Sequence, residues 1–305
     1  MPVIGLIGPE PLRSLMRDGL KADYGFIDCC YGDYGEKDNV DGGIHFTTFD
    51  EAESFWLKRP STEYYVTAVD REDSLALDAF TKRTLFLLIN LQFPNDPLDP
   101  QVHKHSAFTI IHDVPQEESK ERLQVLLKNL ALNTPTWYRP DWDTYFMEMT
   151  RLAALRSNCC KRRVGCVLVN AHSVIATGYN GTPRTLLNCI DGGCPRCHSD
   201  SRCGADLSIC LCLHAEENAL LEAGRTRALG CTLYCTTAPC VQCTKKIVQC
   251  GVRRVVYAQE YAVEHDCKSV LAGAGIELDK YFFRDNVYLL STQIESKPIS
   301  RTCID

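Results

Sequence analysis

The sequence predicts an α/β protein organised as two units, and three observations carry that reading. Short apolar runs suited to buried strands alternate with stretches of helical period. Residues 133–142, NTPTWYRPDW, hold two prolines and no regular period, so the chain divides there. The length of 305 residues, 45% hydrophobic and 24% charged, suffices for two ordinary globular cores.

The first unit is expected over 1–132. PVIGLIG (2–8) reads as a buried strand running into a turn at Pro9. Helical periodicity is read at 74–91 and again at 117–132, where Leu123, Leu126, Leu127 and Leu130 share a face. FPNDPLDPQ between them reads as loop, and SAFTIIHDV (106–114) as a second strand. After a linker at 133–140, the second unit is expected over 141–285, with 286–305 as a tail.

In that unit Asp141 or Asp143 can cap a helix running to about Asn158, with Phe146, Met149, Leu152, Ala153 and Leu155 buried. VGCVLVN (164–170) and SVIATGYN (173–180) read as strands joined by a tight turn at Ala171–His172. A Gly- and Cys-rich loop fills 181–212. A helix at 214–224, a strand at 231–237 and a helix from Pro239 follow, then a strand at 252–258, a helix near 264–273 and a strand at 276–283. That order predicts a mixed sheet with helices on both faces.

The net charge of −6, from 33 Lys+Arg against 39 Asp+Glu, argues against affinity built on nucleic-acid phosphates. No apolar run reaches the length of a membrane helix and the N-terminus lacks a signal-peptide pattern, so neither nucleic acid nor membrane is an expected partner. The expected location is cytoplasmic, or cytoplasmic and nuclear.

Of 18 cysteines, fifteen fall between Cys159 and Cys267. Without a signal peptide and in a long chain, CxxC pairs near histidines read as metal ligands rather than disulfides. Cys166, Cys231 and Cys235 lie in apolar runs and read as inert core thiols.

Two motifs carry the chemistry: His214-Ala215-Glu216 before the helical run ENALLEAG, and Pro239-Cys240-Val241-Gln242-Cys243 at another helix start. Helix N-termini favour the thiolate that a metal requires. One imidazole and two thiolates are three ligands, which leaves the fourth tetrahedral position open as in a catalytic zinc site. Glu216, two residues beyond a ligand, can stand beside the ion as general acid and base without binding it. The bland alternative is a structural zinc element with Glu216 as a mere first-turn acid.

HxE…PCxxC is the signature of zinc-dependent nucleobase deaminases. With SNCCKRRVGCVLV (157–169), ATGYNGTPR (176–184), NCIDGGCPRC (188–197), LCLHAEENALLEAG (211–224) and APCVQCTKKI (238–247), residues 141–285 resemble the fungal form of the deoxycytidylate deaminase family, within the cytidine deaminase superfamily. The resemblance implies a three-layer α/β/α fold and conversion of dCMP to dUMP and ammonia, feeding thymidylate synthesis. It implies His214, Cys240 and Cys243 on zinc and Glu216 as proton shuttle. It also implies Asn180 at the sugar 3′-hydroxyl and Arg163 at the 5′-phosphate, with Arg162 as its substitute, and Ala215 and Tyr261 lining the pocket. Lys161 reads as part of a solvated turn.

Phage members of the family carry a second, structural zinc on cysteines matching Cys159 and Cys189. Here Cys194 and Cys197 would complete a Cys₄ set; the alternatives are His198, Cys203, Cys210 and Cys212 as ligands, or no second metal. The resemblance further implies a homohexamer activated by dCTP and inhibited by dTTP, with Mg²⁺ accompanying the triphosphate. The first unit resembles a P-loop-kinase-like α/β unit in degenerate form. Its turn, GPEPLRS, lacks GK[ST], and Pro9 and Pro11 remove two N–H groups from any phosphate cradle. Rival readings are a tRNA adenosine or free-base cytosine deaminase, and a zinc-organised scaffold module.

Overall fold

In a computed structural model of the chain, the described residues are 3–31, 43–58, 63–69, 76, 80, 82, 86–96, 102, 106–113, 116–130, 132, 134–200, 206–260, 264–284 and 287–291. They form two compact units, Met1–Pro140 with Arg284–Asp305, and Asp141–Phe283.

The first unit is built on a sheet in which seven described strands all pair in parallel: β1 (Val3–Ile7), β2 (Ile27–Tyr31), β3 (Ile44–Phe46), β4 (Tyr65–Ala68), β5 (Phe86–Gln92), β6 (Phe108–Asp113) and β12 (Val287–Ser291). Their order is β12-β6-β5-β1-β4-β2-β3. Alternation along β1 sends Ile4 and Leu6 to one face, with α1 (Glu10–Tyr24) and α3 (Gln116–Leu130). Val3 and Ile7 go to the other, with α2 (Phe49–Leu57). Thr48 caps α2, accepting from Glu51 N at 3.3 Å, while Glu51 Oε2 accepts from Thr47 N at 2.9 Å.

Four features of this unit differ from the sequence reading. Residues 86–91, expected as the end of a helix, are β5, because a central parallel strand is buried on both faces and shows no alternation. Most of 74–85 lies outside the described residues. Residues 10–24, read only as the turn at Pro9, form α1; proline is tolerated in a first helical turn, and Leu12, Met16 and Leu20 bury one face. The 133–140 segment, expected as a linker, packs on this core through Trp137 and Tyr138, whose side chains donate to Leu130 O and Leu132 O. The expected tail supplies β12, paired with β6.

Gly8 joins β1 to α1 through Pro9 alone. A Cβ at Gly8 would lie 2.2 Å from Leu91 O, so that turn is pressed against β5. At the start of α1, Glu10 pairs with Arg13 at 2.6 Å and Arg17 at 2.8 Å. An acid thus occupies the helix N-terminus, where a phosphate loop would offer positive charge.

The second unit has a mixed sheet of five described strands, ordered β11-β10-β9-β7-β8. Its strands are β7 (Gly165–Asn170), β8 (Ser173–Tyr179), β9 (Thr232–Thr237), β10 (Arg254–Gln259) and β11 (Glu277–Lys280). β7 is antiparallel to β8 and β9, while β9, β10 and β11 run parallel. Ala171 and His172 make the β7–β8 turn with φ of 45° and 63°, the left-handed pair a two-residue hairpin turn needs. Cys166, Leu168, Leu233 and Cys235 face α5 (Ala215–Ala228), α6 (Val241–Gln249) and α7 (Glu264–Gly273). Val167, Val169 and Tyr234 face α4 (Trp142–Ala154) on the opposite side. The result is three layers, α/β/α.

Asp141 caps α4, accepting from Thr144 N at 2.8 Å. α4 buries Phe146, Met147, Thr150 and Ala154, at i, i+1, i+4 and i+8, while Leu152 and Leu155, expected inside, are 68% and 62% exposed. The helix is rotated from the expected face, because β7 and Tyr234 pack on the Phe146–Met147 side.

Candidate active site

Two helix N-termini meet at one end of the second sheet. His214 is the N-cap of α5 and Cys240 the N-cap of α6, each in extended backbone. Pro239, expected as the first helical residue, instead precedes that cap. Glu216 and Cys243 follow in the first turns of the two helices. α5 reaches this position because β8 carries Gly178: a Cβ there would stand 2.1 Å from Ala215 O. An ion pair between Glu217 and Lys246 ties the two helices together. Upstream, Leu213 and Gly181 exchange backbone hydrogen bonds at 2.9 and 3.2 Å, seating the residue before His214 beside the end of β8.

His214 Nδ1 lies 3.4 Å from both Cys240 Sγ and Cys243 Sγ. Zinc bonds to imidazole nitrogen and thiolate sulfur place such donors about 3.5 Å apart at tetrahedral angles, so the set fits a zinc ion. Among the described residues no fourth His, Cys, Asp or Glu joins the group. The Cys240 thiol is lowered to about 3, first by its hydrogen bond with Cys243 and then by His214. Cys243 is raised by the same pairing and by burial. The Cys240–Cys243 pair therefore shares its first proton loss, beside the imidazole that would accompany it on a cation.

Glu216 is 4% exposed. Burial raises its carboxyl to about 7, against the lowering effects of its own backbone amide and of His214. A carboxyl poised there both accepts and returns a proton near neutral pH.

Of the residues expected to contact substrate, Ala215, Asn180 and Arg163 are described. Ala215 is buried as the first residue of α5. Asn180 is buried and heavily engaged: its Oδ1 accepts from Val164 N at 2.8 Å and Ser157 Oγ at 2.7 Å, and its Nδ2 donates to Arg162 O at 2.8 Å. One Nδ2 hydrogen is left for a ligand. Within the basic run, Lys161 donates to Ser199 O at 3.0 Å and Arg162 to Gln259 Oε1 at 2.7 Å. Arg163 is exposed and, among the described residues, makes no hydrogen bond or ion pair. Tyr261 lies outside the described residues.

Ser157 was not singled out in the sequence. It stands in the SNCC motif, and its Oγ reaches across 23 residues to hold Asn180. Cys166, Cys231 and Cys235 are buried core thiols. The four cysteines expected on a second zinc do not form a single group. Cys159, Cys189 and Cys197 gather with Cys212, while Cys194 and Cys197 gather with Cys210 and Cys212. Cys203 lies outside the described residues. His198 Nε2 faces Cys189 O, with Cys160 Sγ at 3.6 Å.

Residues 140–259 match the family model described as "Cytidine and deoxycytidylate deaminase zinc-binding region". The chain is 56% identical to the deoxycytidylate deaminase of Schizosaccharomyces pombe, across 94% of this chain and 99% of that one. It is 49% identical to the deoxycytidylate deaminase of Saccharomyces cerevisiae, across 59% and 60%. The solved dCMP deaminase of cyanophage S-TIM5, in complex with dCMP and dUMP, is 33% identical over 47% of this chain and 98% of that chain, with a TM-score of 0.38.

Proposed function

Since the chain belongs to the deoxycytidylate deaminase family, we propose that it hydrolyses the exocyclic amine of dCMP to give dUMP and ammonia. The observation that carries this reading is the convergence of His214, Cys240 and Cys243 on one point, with buried Glu216 beside them and no fourth protein donor among the described residues.

A zinc ion held by these three donors supplies Lewis acidity, which makes water nucleophilic near neutral pH. Glu216 would take one proton from the attacking water and hand it to the ring nitrogen beside the reacting carbon, where it stays in the product; it would then take the second proton from the added hydroxyl and hand it to the departing amine. Both water protons are then placed, one on the ring nitrogen and one on ammonia, and the carboxylate is restored. Burial raises the carboxyl above the ordinary carboxylate range, which favours the return of the proton that the charged form has taken up. The Asn180 amide, immobilised by three hydrogen bonds, offers its remaining N–H to the sugar hydroxyl. Arg163, uncommitted within its basic run, meets the 5′-phosphate, where a guanidinium grips two oxygens at once.

We further propose that the product feeds thymidylate synthesis, and that the enzyme is a homohexamer activated by dCTP and inhibited by dTTP with Mg²⁺. The first unit then serves assembly or regulation: Glu10 fills its helix N-terminus and only Gly8 and Pro9 link β1 to α1, which suits no phosphoryl transfer. An assay of dCMP against dCTP, cytidine, cytosine and adenosine tests the substrate reading. Turnover of dCMP alone is expected; turnover of adenosine or cytosine without dCMP overturns it.

A further inference from the structure

Six cysteines form a second constellation that shares no residue with the active site. Their sulfur atoms fall into two overlapping groups, Cys159, Cys189, Cys197 and Cys212, and Cys194, Cys197, Cys210 and Cys212; within each group every sulfur lies within 4.8 Å of the others. Two four-sulfur groups with two members in common are two tetrahedra sharing an edge. Zinc–thiolate bonds of about 2.3 Å put the corners of such a tetrahedron about 3.8 Å apart. Cys159 Sγ and Cys197 Sγ are 3.8 Å apart in the first group, and Cys194 Sγ and Cys210 Sγ are 3.8 Å apart in the second. All six are free thiols, far from the roughly 2.05 Å of a disulfide.

We propose that this loop holds two zinc ions in a dinuclear thiolate cluster, with Cys197 and Cys212 bridging, Cys159 and Cys189 terminal on one ion, and Cys194 and Cys210 terminal on the other. Binding releases the thiol protons, and six thiolates against two divalent ions leave a net charge of minus two. The amide of Leu211 donates to Cys194 Sγ at 3.4 Å, so a hydrogen-bond donor accompanies that charge. A single ion in either tetrahedron uses only four of the six sulfurs and leaves the other terminal pair, although it stands at ligand spacing, without a metal. Cys160 and His198 stay outside both groups.

The cluster gives the loop between β8 and α5 what its backbone lacks. Over 181–212 its helical structure, among the described residues, is two three-residue turns, at 189–191 and 207–209. The thiolates tie the segment after α4 to residues 189–197 and to Cys210 and Cys212, two residues before His214. The loop is thereby fixed at the point where it delivers the active-site histidine.

Metal content decides the matter, and it is independent of the deaminase reading because the two ligand sets are disjoint. The full-length chain, purified with zinc under reducing conditions, is expected to carry three zinc ions by native mass spectrometry and elemental analysis. His214→Ala is expected to carry two. Zinc absorption-edge spectroscopy of that variant is expected to show a sulfur-only first shell and a metal neighbour at about 3 Å, the separation that edge-sharing thiolate tetrahedra bring about. Cys210→Ser is expected to lose at least one ion. Two or fewer zinc ions in the wild-type chain, a sulfur shell with no metal neighbour, or an unchanged count in Cys210→Ser overturns the proposal. Should Cys210→Ser fail to fold, the wild-type count and the spectrum still decide.

Discussion

Asn180→Ala removes a side chain that braces the site and whose remaining N–H is proposed to meet the sugar hydroxyl. Three hydrogen bonds go with it: those accepted from Val164 N and Ser157 Oγ and the one given to Arg162 O. At about 1 kcal/mol each, the loss is about 3 kcal/mol, and more where buried partners stay unpaired. For a unit of this size the melting transition should fall by roughly 6–12 °C. Because the same bonds hold the 157–164 segment that carries Arg163, kcat/KM for dCMP should fall as well. Calorimetry of the zinc-loaded chain gives the first number and steady-state kinetics the second. Ser157→Ala separates the roles: it should lower the melting transition by a part of that amount while leaving the ligand-facing N–H in place. If Asn180→Ala melts within a degree of wild type, the bracing role assigned to this network is refuted.

Glu216→Gln should keep its zinc, since the carboxylate stands outside the donor group, and lose roughly 10²–10⁴-fold in kcat; elemental analysis and a dCMP assay on one preparation check both. Arg163→Ala should raise KM for dCMP by roughly 10–100-fold with little effect on a nucleoside lacking the phosphate. Acid stability should depend on Asp143. Two hydrogen bonds from Arg254, both 2.8 Å, followed by one from Tyr234, hold its carboxyl below the ordinary 3.8. The stabilisation is complete above about pH 4 and is lost as pH falls through the lowered value. Urea midpoints of wild type and Asp143→Asn should therefore differ most at neutral pH and converge toward pH 2; a constant difference contradicts the assignment.

The second unit was legible because its signals are local. Asp141, one of two candidate caps, starts α4, Ala171–His172 make the hairpin, His214 caps α5, and α6 begins two residues after the expected Pro239. What escaped was set at a distance. The rotation of α4 depends on Tyr234, and leucine spacing alone could not tell Leu152 from Met147. β5 is apolar at nearly every position because both faces are covered, a pattern that a helix shares over so short a run. Pro9 and Pro11 disguised α1, although the Leu12, Met16 and Leu20 spacing was available. β12 gains its partner only when the chain returns to the first unit from the far end of the second.

At the site the grouping of His214, Cys240 and Cys243 was readable as a spacing, whereas the Ser157–Asn180 brace spans 23 residues and left no motif beyond SNCC. Cys210 and Cys212 appeared in the sequence only as alternatives. Their place beside Cys194 and Cys197 follows from how the 181–212 loop folds back, which no pairwise spacing encodes.

A crystal structure of the zinc-loaded chain, with anomalous scattering recorded at the zinc edge, tests the central claim most directly. It should place one ion on His214 Nδ1, Cys240 Sγ and Cys243 Sγ, with Glu216 outside the coordination sphere and no protein atom at the fourth corner. Glu216 or any other side chain closing that corner would contradict the account.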